Sequence, residues 1–168
     1  MNEKVHIPTS SFARELAAIP GGEVVNKCIQ CGTCTASCAV ARYAEDYRPR
    51  QLIQKILLGE REEVLKSKQP WLCMTCRLCE ERCQEGVSPA EVFRAVRILA
   101  AREGYVPRQF RQVIDTLTEH GWILADVYTD FEEETREDLG LDPDLGWNSE
   151  FVKRVRGLME CCGKEGEK

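Results

Sequence analysis

The chain carries two cysteine-rich runs, Cys28-Ile29-Gln30-Cys31-Gly32-Thr33-Cys34-Thr35-Ala36-Ser37-Cys38 and Cys73-Met74-Thr75-Cys76-Arg77-Leu78-Cys79-Glu80-Glu81-Arg82-Cys83. Both runs read C-x2-C-x2-C-x3-C, and each cysteine of the second run follows its counterpart in the first by 45 positions. Thiolates are soft ligands that bind metals. Eight of them at a repeated spacing are typical of a ligand set, because cysteines of a hydrophobic core would not repeat in this way.

The spacing within each run predicts two metal centres that share ligands. Three cysteines at i, i+3 and i+6 can surround one centre within a tight loop, while the fourth points away and can reach a second centre. Bacterial ferredoxins hold two [4Fe–4S] clusters with this spacing, and the fourth cysteine of each run ligates the other cluster. We therefore predict two [4Fe–4S] clusters, one held by Cys28, Cys31, Cys34 and Cys83, the other by Cys73, Cys76, Cys79 and Cys38.

Structural zinc is the main alternative, because C-x2-C pairs are also halves of zinc sites. The usual zinc site combines two separated pairs, whereas each run here has a third cysteine at the same interval, and neither His6 nor His120 stands at ligand spacing. Disulfides are typical of small secreted chains, and the first residues lack the layout of a secretory signal. The repeat therefore favours iron–sulfur clusters.

The composition is that of a globular chain, with 30% charged and 43% hydrophobic residues among 168. Its uninterrupted apolar stretches are only a few residues long, whereas a membrane-spanning helix needs about 20. We expect no membrane span and a cytoplasmic setting, which keeps thiols reduced. The net charge of −5 argues against nucleic acid as a partner, since a basic face is expected there.

Helical periodicity dominates the segments around the runs. Ser10 or Ser11 caps a predicted helix over 12–19, and Pro49 begins a second helix that ends before Gly59. A charged segment over 61–68 continues as an amphipathic turn or short helix. No strand-like alternation is found between the runs, so the pattern predicts an all-α fold.

Further helices are predicted after the second run. Ser88-Pro89-Ala90-Glu91 is a capping box that opens a helix ending before Gly104. Pro107 begins another helix that ends at His120, and its predicted buried face contains Phe110, Val113, Ile114 and Leu117.

The composition changes again near the C-terminus. The segment 126–144 is strongly acidic, which favours a solvated face or loose linker over the alternative of docking onto a basic partner. Asn148 caps a last amphipathic helix. Near its end, Cys161 and Cys162 are interpreted as thiols of the tail.

Several segments of the chain resemble the two-cluster iron–sulfur subunit of heterodisulfide reductase, the subunit designated C: Cys28 to Cys38, Pro49-Arg50-Gln51-Leu52-Ile53, Trp71-Leu72-Cys73-Met74-Thr75-Cys76, Glu81-Arg82-Cys83 with Gly86-Val87, and Arg102-Glu103-Gly104-Tyr105-Val106-Pro107. The resemblance covers about residues 26 to 110. It implies an α-helical ferredoxin-like domain holding two [4Fe–4S] clusters.

The same resemblance implies a complex of several subunits. In it a flavin-containing subunit, designated A, passes electrons through the two-cluster subunit to a disulfide-reducing subunit, designated B. Ala39 and Gln84 depart from the family's usual proline. They leave the branch of the family open, between methanogenesis and sulfur oxidation.

These patterns predict three segments: an N-terminal extension at 1–25, the helical two-cluster domain at 26–122, and an acidic segment with a C-terminal helix at 123–168 that docks on a partner. The sequence contains no catalytic constellation and no nucleotide or flavin fingerprint, so we expect an electron-transfer subunit of an oxidoreductase without a catalytic site of its own. The alternatives are a free two-cluster ferredoxin, or a subunit of a sulfur-oxidising or fumarate-reductase-type complex. The last is disfavoured, because no C-x4-C-x2-C domain precedes the first run.

Overall fold

The computed structural model describes residues 10–120, 123, 130–141 and 149–164. This part of the chain consists of helices and connecting segments and contains no strand, so the predicted all-α class is confirmed. A 3₁₀ helix precedes each cysteine run, Glu23–Lys27 before the first and Gln69–Leu72 before the second. The α-helices are α1 (Ser11–Ala17), α2 (Thr33–Ala36), α3 (Ala39–Tyr43), α4 (Pro49–Leu58), α5 (Arg61–Lys66), α6 (Leu78–Glu81), α7 (Pro89–Arg102), α8 (Arg108–His120), α9 (Asp130–Asp138) and α10 (Ser149–Lys164).

The chain divides into two compact units, one within residues 1–105 and one within 106–168. The first unit contains both cysteine runs together with helices α1 to α7. The second contains α8, α9 and α10. The three-segment division that the sequence suggested stays a prediction.

The hydrophobic core of the first unit is built from the apolar faces of α1, α4, α5 and α7. Leu16, Ile56, Val64 and Val96 are fully buried in it, one from each of these helices. The first and last cysteines of both runs are partly buried and pack against this core, namely Cys28, Cys38, Cys73 and Cys83. The core therefore anchors both ends of each cysteine loop.

Local signals set the ends of α1 and α4. The Ser10 hydroxyl accepts from the Ala13 amide at 3.0 Å and donates to the Ile56 carbonyl at 2.9 Å, so one side chain caps α1 and ties it to α4. Gly59 ends α4 with φ +85°, a left-handed conformation that glycine adopts without a steric penalty. The predicted caps at Ser10 and Gly59 are confirmed.

The start of α7 differs in part from the predicted capping box. Ser88 does cap the helix, since its hydroxyl accepts from the Glu91 amide at 3.4 Å. The reciprocal half is wrong, because the Glu91 carboxylate accepts instead from Arg77 at 2.6 Å and from Arg94 at 2.7 Å. A charge-assisted hydrogen bond to an arginine is stronger than a hydrogen bond to a neutral amide. The Glu91 carboxylate therefore binds the two arginines and not the backbone amide of Ser88.

In the second unit, α10 packs against α8, and Arg156 Nε donates to the Thr118 carbonyl at 2.7 Å. The predicted buried face of α8 is wrong in its first half, where Phe110 and Val113 are 42% and 44% exposed. Ile114 and Leu117 are half-buried. Burial is greater toward the end of α8 that contacts Arg156.

The acidic segment is helical in part. Helix α9 occupies residues 130–138 of it, and Glu133, Glu134 and Glu137 are exposed, so this part is a helix with a solvated face and not a loose linker. The predicted cap Asn148 lies outside the described residues. No helix in the described ranges is long and apolar enough to cross a bilayer.

A salt-bridge network centred on Arg61 connects α1, α5 and the residue that follows α7. Its guanidinium donates to both oxygens of Glu15, at 2.7 and 2.9 Å, and also to Glu103. The hydrogen bond from Arg61 keeps the pKa of Glu15 below its ordinary value of 4.5. This carboxylate therefore stabilises the fold above its unfolded pKa, and the stabilisation is lost as the pH falls through the folded pKa.

We expect Glu15→Gln to lower the free energy of unfolding by about 1 kcal/mol at pH 7, because the pair is bidentate but partly exposed. The matched control is Glu62→Gln, which removes a solvent-exposed pair with Lys66 and should leave the stability nearly unchanged. Urea unfolding at pH 7 and pH 3 checks both. A Glu15→Gln deficit that persists undiminished at pH 3 contradicts the assignment.

Candidate iron–sulfur site

The two cysteine runs adopt the same backbone conformation. Gln30 and Thr75, which are equivalent in the repeat, have φ of 60° and 53°. Gly32 and Arg77, the next equivalent pair, have φ of 87° and 61°. A left-handed conformation at a residue other than glycine costs about 1–3 kcal/mol and is concentrated at functional sites. The repeat in sequence is therefore a repeat in structure, and the loops carry the strain that ligand-binding loops often carry.

The first candidate site is a pocket that draws on both runs. It is lined by Cys28, Cys31 and Cys34 of the first run and by Cys83, the last cysteine of the second. These are the four residues predicted for one cluster, and the structure brings them together around one cavity.

The second candidate site lies around the hydroxyl of Tyr47. This hydroxyl interacts with the sulfurs of Cys73, Cys38 and Cys79, so the last cysteine of the first run lies near two cysteines of the second. Cys76, the remaining member of the predicted set, is exposed, as is its counterpart Cys31.

The two sites are neighbours. Helix α2, which follows the middle of the first run, packs against α6, its equivalent in the second run. The sulfurs of Cys34 and Cys79 are close enough to interact electrostatically, one from each site. Burial raises the pKa of the Cys79 thiol to about 11, because it disfavours the charged thiolate.

Hydrogen-bond donors surround the sulfurs of the first site. Gln30 Nε2 donates to Cys28 Sγ at 3.3 Å, and the Val87 amide donates to Cys83 Sγ at 3.3 Å. Burial nevertheless raises the pKa of Cys28, and the donors of Gln30 oppose that rise. Such donors favour negative charge on sulfur.

Tyr47 is the residue of the second site that the sequence analysis missed. It is 1% exposed, and its ring contacts Phe93 edge-on with 6.3 Å between centroids. Burial, followed by the nearby Cys73 thiol, raises the pKa of Tyr47 far above its ordinary value. The hydroxyl therefore keeps its proton and lies beside the Cys73 sulfur. No local signal marks this residue, because it lies between the runs and reaches the site only through the fold.

The donor set fits a [4Fe–4S] cluster better than a single ion. In a four-iron cluster each thiolate binds a different iron, so the ligands surround a cavity, as the four cysteines of the first site do. Among the described residues, no three His, Cys, Asp or Glu side chains converge closely enough to hold a single metal ion. When bound, such a cluster accepts and releases one electron at a time.

An all-helical fold with two neighbouring all-cysteine sites defines a helical ferredoxin-type iron–sulfur protein. In agreement, the 4Fe-4S dicluster domain family matches residues 24–87, and the chain carries two [4Fe–4S] clusters.

Comparison with curated proteins identifies the family. The chain is 40% identical to the iron–sulfur subunit designated C of the CoB–CoM heterodisulfide reductase of Methanopyrus kandleri, over 81% of this chain and 71% of that protein. It is also 40% identical to the corresponding subunit of the H2:CoB–CoM heterodisulfide,ferredoxin reductase of Methanothermobacter thermautotrophicus, over 90% and 82%. A third relative, from Methanosarcina mazei, is 33% identical over 82% and 85%. The chain belongs to this family of heterodisulfide reductase iron–sulfur subunits, as its motifs indicated, and its relatives are subunits of an oxidoreductase.

Cys161 and Cys162 lie in α10, and their side chains are outside the described part of the structure. We predict that they are not cluster ligands, so the double variant Cys161→Ala/Cys162→Ala should keep its full iron content and its electron-transfer rate. Colorimetric iron analysis of the purified protein checks this. Loss of half the iron would show that the pair is needed to hold a cluster.

Proposed function

We propose that this chain relays electrons one at a time between a flavin-containing subunit and a disulfide-reducing subunit of a heterodisulfide-reductase-like complex. The relay runs through one cluster held by Cys28, Cys31, Cys34 and Cys83 and a second held by Cys73, Cys76, Cys79 and Cys38. The chain contributes no catalytic residue to disulfide reduction. Its part is to hold the two clusters side by side.

The observation that carries this proposal is the position of the fourth cysteine of each run, beside the cysteines of the other run. Cys83 lies in the pocket of the first run, and Cys38 lies with the cysteines of the second. Ligation that crosses in this way forces the clusters to be neighbours, because each run must reach both. Two neighbouring one-electron centres form a path through the chain, which is what a relay between two partner subunits requires.

Exposure of the second cysteine of each run supports the same function. Cys31 and Cys76 are exposed, whereas the first and last cysteines of the runs pack on the core. Apolar side chains beside them are exposed too, since Ile29 and Met74 are 61% and 73% exposed. Each cluster would thus have one edge facing outward, where a partner subunit can approach, and one edge against the rigid core.

Reconstitution tests the relay. The flavin-containing and disulfide-reducing subunits of the host complex are purified with and without this chain. The first is reduced through its flavin, and the arrival of electrons at the second is followed by stopped-flow absorbance. We expect electrons to reach the disulfide-reducing subunit only when this chain is included. We also expect the three proteins to elute together in size-exclusion chromatography.

Two results would contradict the proposal. If electrons reach the disulfide-reducing subunit at the same rate without this chain, the chain is not a relay. A monomer that contains about eight irons, co-purifies with no other protein and exchanges electrons with diffusing partners is instead a free ferredoxin.

A further inference from the structure

Side chains of the first run supply hydrogen-bond donors to the sulfurs of that run. Gln30 Nε2 lies 3.3 Å from Cys28 Sγ, and Thr33 Oγ1 lies 3.4 Å from Cys31 Sγ. A coordinated cysteine has no proton to donate, so in the loaded protein the Thr33 hydroxyl is the donor. This same hydroxyl lowers the pKa of the free Cys31 thiol.

The equivalent positions of the second run offer no such donors to sulfur. The Thr75 hydroxyl donates to the carbonyl of the preceding residue at 2.8 Å, and Leu78 has no polar group. The two runs share a backbone but differ at both of these positions.

We infer that Gln30 and Thr33 hold the cluster of the first run at a higher reduction potential than its twin, so that a single electron entering the chain resides there. The inference rests on the ligand sets of the proposed function. Reduction adds one negative charge to a cluster, and donors to its sulfurs stabilise that charge.

Some contributions oppose this difference. At the second site the Tyr47 hydroxyl lies beside the Cys73 sulfur, and backbone amides act on the sulfur of Cys79. At the first site Glu85 lines the pocket and disfavours negative charge on Cys31. The first site nevertheless has two side-chain donors within 3.4 Å of its sulfurs, and the proposed difference follows from these hydrogen bonds.

A reciprocal exchange of residues tests the inference. The variant Gln30→Thr/Thr33→Leu places the residues of the second run in the first, and Thr75→Gln/Leu78→Thr does the reverse. Each position has the same backbone conformation in both runs, so the exchange introduces residues that the loop already accommodates. The matched control is Ser37→Ala, which removes a hydroxyl of the first run that donates to the Thr33 carbonyl and not to sulfur.

The readout is an EPR-monitored redox titration of the intact protein, with dithionite supplying one electron per cluster. The unmodified protein should show two separate potentials. Gln30→Thr/Thr33→Leu should lower the potential of the first-run cluster and leave the potential of the second-run cluster unchanged. Thr75→Gln/Leu78→Thr should raise the potential of the second-run cluster. A hydrogen bond to a charged group contributes about 1.5 kcal/mol, so the partition of one electron between the sites should change about tenfold, or ~59 mV.

Ser37→Ala should leave the reduction potentials of both clusters unchanged. Two equal potentials in the unmodified protein overturn the inference, as does a Gln30→Thr/Thr33→Leu variant that retains its iron and titrates unchanged. If the double variant loses iron, the isosteric single variant Thr33→Val replaces it with the same expected direction. Either negative result leaves the relay standing, because the relay is tested by electron arrival at the disulfide-reducing subunit and not by the order of the two potentials.

Discussion

Serine in place of Cys83 should remove the cluster of the first run and spare the cluster of the second. Cys83 belongs to the second run by sequence, yet it lines the pocket of Cys28, Cys31 and Cys34. We expect the purified variant to contain about half of the eight irons and to lose the same EPR signal that Cys28→Ser loses. A serine oxygen is a harder ligand than thiolate and holds the cluster poorly.

Cys38→Ser is the reciprocal control for this experiment. It should abolish the other signal, the one that Cys73→Ser abolishes, and keep the first. If Cys83→Ser and Cys73→Ser remove the same signal, each run serves its own cluster and the crossed ligation is wrong. The four single variants together therefore assign each cysteine pair without any assumption about function.

Phe93→Ala should produce the largest loss of stability in the first unit. Phe93 is 1% exposed in α7 and packs against the ring of Tyr47. Removing a buried phenylalanine ring costs about 3–5 kcal/mol, because the surrounding core relaxes only partly into the cavity. Tyr47 also loses the ring that holds it beside Cys73, so the EPR signal of the second site should broaden or disappear first.

The control for Phe93→Ala is Phe110→Ala, the same substitution at a position that is 42% exposed in α8. It should change the free energy of unfolding by about 1 kcal/mol or less. Urea unfolding followed by circular dichroism measures both. Equal losses for the two variants would mean that α7 does not form the centre of the core.

Prediction from the sequence succeeded where a structural feature depends on neighbouring residues. The caps at Ser10 and Gly59 could be read in advance, because a side chain or a φ angle within a few positions sets each of them. The periodicity of α4 and α7 was readable for the same reason. Heptad-like spacing of apolar residues specifies which face of a helix will be buried once something covers it.

Prediction failed where a feature depends on distant residues. The apolar face of α8 was visible in the sequence, but no pattern in Phe110 or Val113 indicates how far a covering helix extends. Glu91 stood at the correct position for a capping box, yet Arg77 and Arg94 competed for it. Tyr47 gave no signal at all, since its place beside Cys73 is the product of packing between segments 26 residues apart.

The two-cluster cofactor and the family are contained in the order of the amino acids. Spacing along a covalent chain limits which thiolates can converge, and that limit survives any change in the surrounding packing. The residues that differ between the two runs are visible in the sequence, but the inferred inequality of the two sites is decided in the folded molecule. It depends on which donor comes within about 3.5 Å of which sulfur, and such distances arise only when the loops are held against a common core.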